Sequence, residues 1–595
     1  MNARQAPRRL VAGLVAAVVV VAGCVVEETS QVPVLPPSGG SQAPAPGDSA
    51  TTSGGTLRIG LGVEPVSLDP RFVVDAEGEI VVDAVFESLV RLDDHLRPVA
   101  GAAEQWTIDE SRTTYRFTLR QADFHDGAEV TAHAFKRTFD RIADGTLNPR
   151  SPLDFLVEGI IGARQAAAVG GGLAGVIVEA DDLLTIRLER PDAGFLSRLA
   201  HPGLAPVPAS ADEDPEGFAE QPVGNGPFAM IEPRARGAFI RLTRHEDHHR
   251  APQLDEVLIN FYLDDPSTTR QWQDVVNGNL HVARLTADLI DDAVERFGRS
   301  EDGYTGPGVL DGVTTTVYAY AFNTTRPPFD DADARRAWSL AIDRGALADG
   351  VMRGSRTAAD SLVPPSVPGY LRGACEYCRH DPQRAAELWQ DVLNRWPHND
   401  ADEGEGATTP EAIDPDVQPD ELEATDEADT DELFVPTITL LHPRGATHAA
   451  IAQRMAADLE QALTVTINLR AEDLGRFVRT IRDGEAQVFR LGWEPSEPDP
   501  GAYLTPLFHS REIGRDNLTG WSTQQVDALL DEARASMSSG AALARYREAE
   551  RLVLDEMPVM PLLYYRQAAV VVPDVEGFVW SATGRVDLTR VTLRR

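Results

Sequence analysis

Runs with a period of two alternate along this chain with runs whose apolar residues recur every three or four positions, and no segment repeats at a fixed interval. "TLRIGLG" (56–62), "TTYRFTLR" (113–120), "LLTIRLE", "FIRLTR" and "TVTINLR" read as strands. "EIVVDAVFESLVRLD" (79–93), "DARRAWSLAIDRGALADGVM" and "HAAIAQRMAADLEQAL" read as amphipathic helices. Such mixing from end to end excludes a solenoid or propeller and predicts an α/β fold.

The first apolar run is not one of these elements. Residues 10–26 are uncharged, follow Arg4, Arg8 and Arg9, and stop at Glu27 and Glu28. That is short of the ~20 residues a membrane-spanning helix needs, so the run reads as a secretory leader. Its last residues, Val21-Ala22-Gly23-Cys24, resemble a bacterial lipobox, which implies cleavage after residue 23 and lipid on Cys24. Residues 24–55 are rich in Pro, Gly, Ser, Ala and Thr with no apolar period, and are expected to form a flexible tether.

Beyond the tether, 42% hydrophobic and 25% charged residues are ordinary for a folded protein. The length calls for two or more core-forming units. The net charge of −38, with Lys136 as the only lysine among 55 basic residues, would repel nucleic acid, which is set aside as a partner. Residues 398–433 concentrate acidic side chains and prolines and are read as a disordered insertion, without the ligand spacing of an EF-hand.

Enzymatic motifs are missing. There is no G-x-S-x-G, no H-E-x-x-H and no G-x-x-x-x-G-K-[ST], and "GGGLAG" (170–175) lacks the spacing of a dinucleotide loop. The expectation is a protein that is not an enzyme and needs no cofactor. "RHEDHH" gathers His245, Glu246, His248 and His249 in what reads as a solvated turn, with metal binding as the alternative. "CEYCRH" offers Cys375, Cys378 and His380, one ligand short of a structural zinc; outside the cytosol a Cys375–Cys378 disulfide is preferred to zinc or free thiols.

From Thr56 onward an ordered series of segments resembles family 5 solute-binding proteins of bacterial ABC importers, the group with the oligopeptide- and dipeptide-binding proteins. The series includes "EPVSLDP" (64–70), "TYRFTLRQADFHDGAEVTAHAFKRTFD" (114–140), "GNGPFAM" (224–230), "AYAFNTTRPPFDDADARRAWSLAIDR" (319–344) and "LGWEPSEPDPGAYLTPLF" (491–508). The resemblance implies a periplasmic-binding-protein type II-like fold of two α/β lobes joined by a hinge. The first lobe is expected over 56–313, with a subdomain near 87–209 and completion by 563–595, and the second over 314–562. It further implies a monomeric receptor on the extracytoplasmic side of the cell membrane, anchored by lipid, that gives peptide or another small solute to an ABC permease.

Site residues follow from the same resemblance. His448 and Arg490 fall where the oligopeptide binders hold a ligand carboxylate, and Gly492 and Trp493 continue that segment. Where the family has W-x-A-D, this chain has Trp493-Glu494-Pro495-Ser496, so the aspartate that pairs with a ligand ammonium is replaced by Ser496. Either Glu494 or Glu497 substitutes for it, or the ligand carries no ammonium there.

Overall fold

The computed structural model describes residues 51–52, 54–263, 267–396, 435–495, 497–536 and 538–594. The leader, residues 24–50 of the tether, most notably Cys24, the acidic run 398–433 and Ser496 lie outside the described residues.

Eight elements position the site: β1 (Thr56–Leu61), α1 (Ala76–Val85), β2 (Gly308–Phe322), β3 (Arg356–Ala358), α2 (Ala446–Ala462), β4 (Val488–Trp493), α3 (Gln524–Ala535) and β5 (Val559–Val571). The strands β1 to β5 all belong to one mixed sheet of 11 strands. Its path runs from Thr466–Glu472 through Thr437–Pro443, β4, β2, β5, Val282–Arg284 and β1 to Glu256–Phe261 and beyond, with β3 added on β5. Among the described residues no helix is long and apolar enough to cross a membrane.

Apolar side chains gather into three cores. One holds Leu57 to Leu310 and Ala569 to Leu593, a second Leu89 to Leu204, and a third Val317 to Tyr564. The long strands β2 and β5 pass from the first core into the third. Val309, Leu310, Ala569 and Val570 pack in one, and Tyr318, Phe322, Val559 and Leu563 in the other. Their antiparallel pairing is interrupted between Val313 and Val317, where the strands cross from one body to the other. An irregularity of this kind bends a ribbon and loosens its ladder.

Three local readings change. The helix expected over 79–93 spans Ala76–Val85, opened by Asp75, whose side chain accepts from Gly78 N–H, and stopped at Phe86. Val90–Leu92 beyond it pairs with Pro98–Ala100, because that β-branched residue and its leucine bury better in a ribbon than on a solvent-facing helical turn. The folded chain also begins before Thr56: Thr51 and Thr52 pair with Arg594 and Leu593, and Gly54 N–H donates to Gln253 O at 2.6 Å. Finally, the turn after Phe239–Arg244 is not solvated throughout, since His248 is buried.

Candidate functional site

Strand pairing puts Arg490 opposite Tyr320, Gly492 opposite Tyr318, and Trp493 opposite Val317. Side chains alternate across a sheet, so Tyr318, Tyr320, Arg490 and Gly492 share one face and Trp493 takes the other. Arg490 bends along that face toward Tyr318, its Cζ 4.8 Å from the ring centroid, and its Nη2 donates to Tyr565 Oη at 3.4 Å. The bend depends on Gly492. A Cβ there would stand 2.4 Å from Nη2 and 2.7 Å from Cζ of Arg490.

His448, in the first turn of α2, joins the group through its Nδ1, 3.0 Å from Tyr318 Oη. Burial, reinforced by the charges of Arg490 and Arg356, pushes its imidazole down to about 4, so the ring is neutral at pH 7. Arg356 on β3 lies with its Cζ 3.9 Å over the Tyr565 ring and 5.0 Å over Tyr318. Sequence reasoning missed Arg356, because β3 is three residues long, too short to show a period of two.

Arg490 differs from the other buried arginines. Arg71 and Arg141 donate to Asp69, Arg234 and Arg335 to a glutamate and to backbone carbonyls, and Arg344 to four carbonyls besides Ser339 Oγ. Arg490 is 4% exposed, yet its Nε and Nη1 have no hydrogen-bond acceptor and it has no carboxylate partner among the described residues. A buried cation with most of its donors unbonded and no counterion is costly unless an anion meets it.

Trp493 does not join it. The indole packs in the third core and Nε1 donates to Ala502 O at 2.7 Å, which makes it a support for the strand end rather than a neighbour of Arg490. Glu494 is exposed where the strand ends. Glu497 is committed elsewhere, 2.9 Å from Arg198, which removes it as a stand-in for the missing aspartate.

Facing acids come from α1. Glu77 pairs with Arg284 at 3.1 Å, and Arg585 lies 3.8 Å from Glu79 and 3.6 Å from Asp83. Burial pushes Glu79 up to about 8; Arg585 opposes the rise, while Asp83, Glu494 and Asp75 add to it. A carboxyl raised in the folded state loses protons later than in the unfolded chain, so stability is present in full below about pH 4.5 and falls as pH rises toward 8. Glu79→Gln should therefore flatten the decline in melting temperature between pH 6 and 8, as read by differential scanning calorimetry. An unchanged decline would assign it to other groups.

A cavity of about 620 Å³ lies where the bodies and crossing strands meet. Its lining includes Leu285 and Asp288 from the first body, Asp311 and Arg566 from the crossing strands, and Ser355 and Thr447.

Two further clusters were singled out by sequence. Cys375 and Cys378 form a disulfide, Cα atoms 5.3 Å apart. Glu87, His248 and His249 bring potential ligand atoms within 4.8 Å of one another. His248 Nδ1 accepts Arg250 N–H at 3.2 Å, which leaves its proton on Nε2, 3.5 Å from Glu87. The ring thus presents a donor where a metal needs a lone pair. Burial raises the Glu87 carboxyl, but hydrogen bonds from His248 and His249 prevail and hold it at about 2.

Two α/β bodies joined by crossing strands, with a polar group and cavity at their junction, are the build of a type II periplasmic binding protein. The profile described as "Bacterial extracellular solute-binding proteins, family 5 Middle" matches residues 97–515, and the chain belongs to that family. It is similar to the dipeptide-binding protein DppE of Bacillus subtilis, 24% identical over 91% of this chain and 92% of the relative. It is also similar to heme-binding protein A of Haemophilus influenzae, 24% identical over 92% and 94%. Among solved structures, HbpA2 from Haemophilus parasuis superposes with a TM-score of 0.75 at 20% identity, covering 91% of this chain and 100% of that one. Such relatives are binding proteins, and this chain is a solute-binding protein rather than an enzyme.

Proposed function

We propose that the chain is a lipid-anchored receptor that encloses an anionic solute, oligopeptide first, between lobes 56–313 (with 563–595) and 314–562, and delivers it as a monomer to an ABC permease. The observation that carries this reading is Arg490, buried with Nε and Nη1 unbonded and with no carboxylate partner among the described residues, on the face shared with Tyr318 and beside His448. A guanidinium fork suits a carboxylate, and the neutral His448 adds a hydrogen-bonding partner without a second charge of its own. Glu494, with Glu77 and Glu79 across from it, is the acidic side available to a ligand ammonium in place of the missing aspartate. The irregular pairing of β2 and β5 supplies a hinge for closure. Lipid on Cys24 keeps the receptor near its transporter and raises its local concentration there.

The heme-binding relative favours keeping a non-peptide solute, such as a chelate, sugar or modified amino acid, as the second reading. Native mass spectrometry of protein extracted from membranes distinguishes them. Retained masses spaced by amino-acid residues support peptides, and one sharp mass supports a dedicated solute. The same spectrum reads the anchor: a chain beginning at Cys24 with added acyl mass supports it, and a chain without lipid removes it.

A further inference from the structure

Arg356 has no part in the reading above, yet it shares both tyrosines with Arg490. Its guanidinium stacks on Tyr565 and reaches over Tyr318, while Arg490 lies over Tyr318 and donates to Tyr565. Nη1 of Arg356 is buried without a hydrogen bond, as are Nε and Nη1 of Arg490. Among the described residues neither arginine forms an ion pair. The acids close by in sequence or space are already held. Asp360 accepts from Tyr370, Tyr564 and Gly373 N–H, and Asp311 pairs with Arg299 and Arg566. The fold thus sets two like charges on the same pair of rings and offers neither a counterion.

We propose that Arg356 and Arg490 together select a solute whose buried end carries two carboxylates, such as a peptide ending in aspartate or glutamate, or a small dicarboxylate. This rests on the reading of Arg490 as the anion-binding residue. One carboxylate cancels one guanidinium and leaves the other repelled and desolvated; two carboxylates cancel both. His448, held neutral by burial and by these same arginines, does not alter the count near pH 7. A chain of net charge −38 repels anions at long range, so a double positive charge at the junction is what lets a doubly negative group settle there.

The test uses ligand-stripped, refolded protein titrated calorimetrically with Ala-Ala-Asp and Ala-Ala-Asn, which match in size and differ by one charge. Wild type should prefer the aspartate peptide about ten- to hundredfold, the scale of one charged hydrogen bond. Arg356→Gln should erase that preference and bind the asparagine peptide about as well as wild type does, while Arg490→Gln weakens both. Equal binding of the two peptides by wild type, or equal weakening of both by Arg356→Gln, overturns the proposal and leaves the single-carboxylate reading intact. If folded protein binds neither peptide, the peptide reading falls, and succinate against succinamate decides the charge question. A succinate preference abolished by Arg356→Gln supports the proposal, and no such preference overturns it.

Discussion

Replacing Arg490 with alanine should weaken binding of the ligand recovered from native protein by a hundredfold or more, while leaving the ligand-free protein as stable as before or slightly more so. The two signs have one cause. In the ligand-free chain the guanidinium is buried, 4% exposed, with Nε and Nη1 unbonded, so removing it relieves a desolvated charge. In the complex the same change strands a buried carboxylate, and taking one member from such a pair costs about 3–5 kcal/mol, which corresponds to a hundredfold or more in affinity. Arg490→Lys should recover only part, because a point charge lacks the fork. Gly492→Ala should mimic a milder loss, since its Cβ would meet Nη2 at 2.4 Å and turn the guanidinium away from Tyr318. Calorimetric titration beside thermal melts separates the outcomes. Unchanged affinity in Arg490→Ala would end the carboxylate reading, and a large loss of stability in the ligand-free variant would show that the arginine holds the fold instead.

What was legible in the sequence was local or repeated. Strands with a clean period of two, such as Thr114–Leu119 and Phe239–Arg244, stand where the alternation puts them, and the apolar face of Ala446–Ala462 marks that helix. The helix expected to reach Asp93 misled because the apolar residues of Ile80 to Val90, broken only by Asp83, Glu87 and Ser88, continue at helical spacing from the helix into the strand with no glycine or proline between them. Arg490 was legible as a charge on an apolar strand. Its unpaired state was not, because whether a carboxylate stands nearby is a property of distant segments. Arg356 stayed hidden for the same reason: only the pairing of Arg356 with Tyr565 and the approach of β2 put its charge beside Arg490. Trp493, named by resemblance as a continuation of the Arg490 segment, stands on the opposite face of the strand, because its position is odd where that of Arg490 is even. Glu497, plausible as a replacement acid by position, is taken up by Arg198, about 300 residues earlier in the chain.

That last contact carries the second large effect. Arg198 Nη2 lies 2.9 Å from Glu497 Oε1 and 3.0 Å from Asp192 Oδ2, and Arg534 Nη2 lies 3.0 Å from the same Asp192 oxygen. Asp192 and Arg198 flank a helical turn anchored in the second core by Phe195 and Leu199, whereas Glu497 follows β4 and Arg534 closes α3, both packed on the third. The chain of charges therefore fastens one body to the other. Asp192 would be raised by burial, but Arg198 and Arg534 pull its carboxyl well below the usual range. With side-chain exposures of 13% for Arg198, 10% for Asp192 and 5% for Glu497, salt screens these pairs little. By contrast Arg515 and Glu158, 3.0 Å apart and each more than half exposed, add little to closure. Arg198→Ala takes from Glu497 and Asp192 the cation they share and leaves Asp192 with Arg534 alone, at a cost to the closed form of about 3 kcal/mol. The expected result is an open ligand-free protein with a larger radius of gyration by small-angle scattering, and a matching loss of affinity, because binding must then supply the closure free energy. Changing Arg198 to Met together with Glu497 to Leu, with Asp192 left on Arg534, should restore much of the closure, since the apolar replacement no longer strands a charge. A radius of gyration for Arg198→Ala equal to that of the unaltered chain, with ligand and without, would show that the crossing strands alone set how far the lobes stand apart.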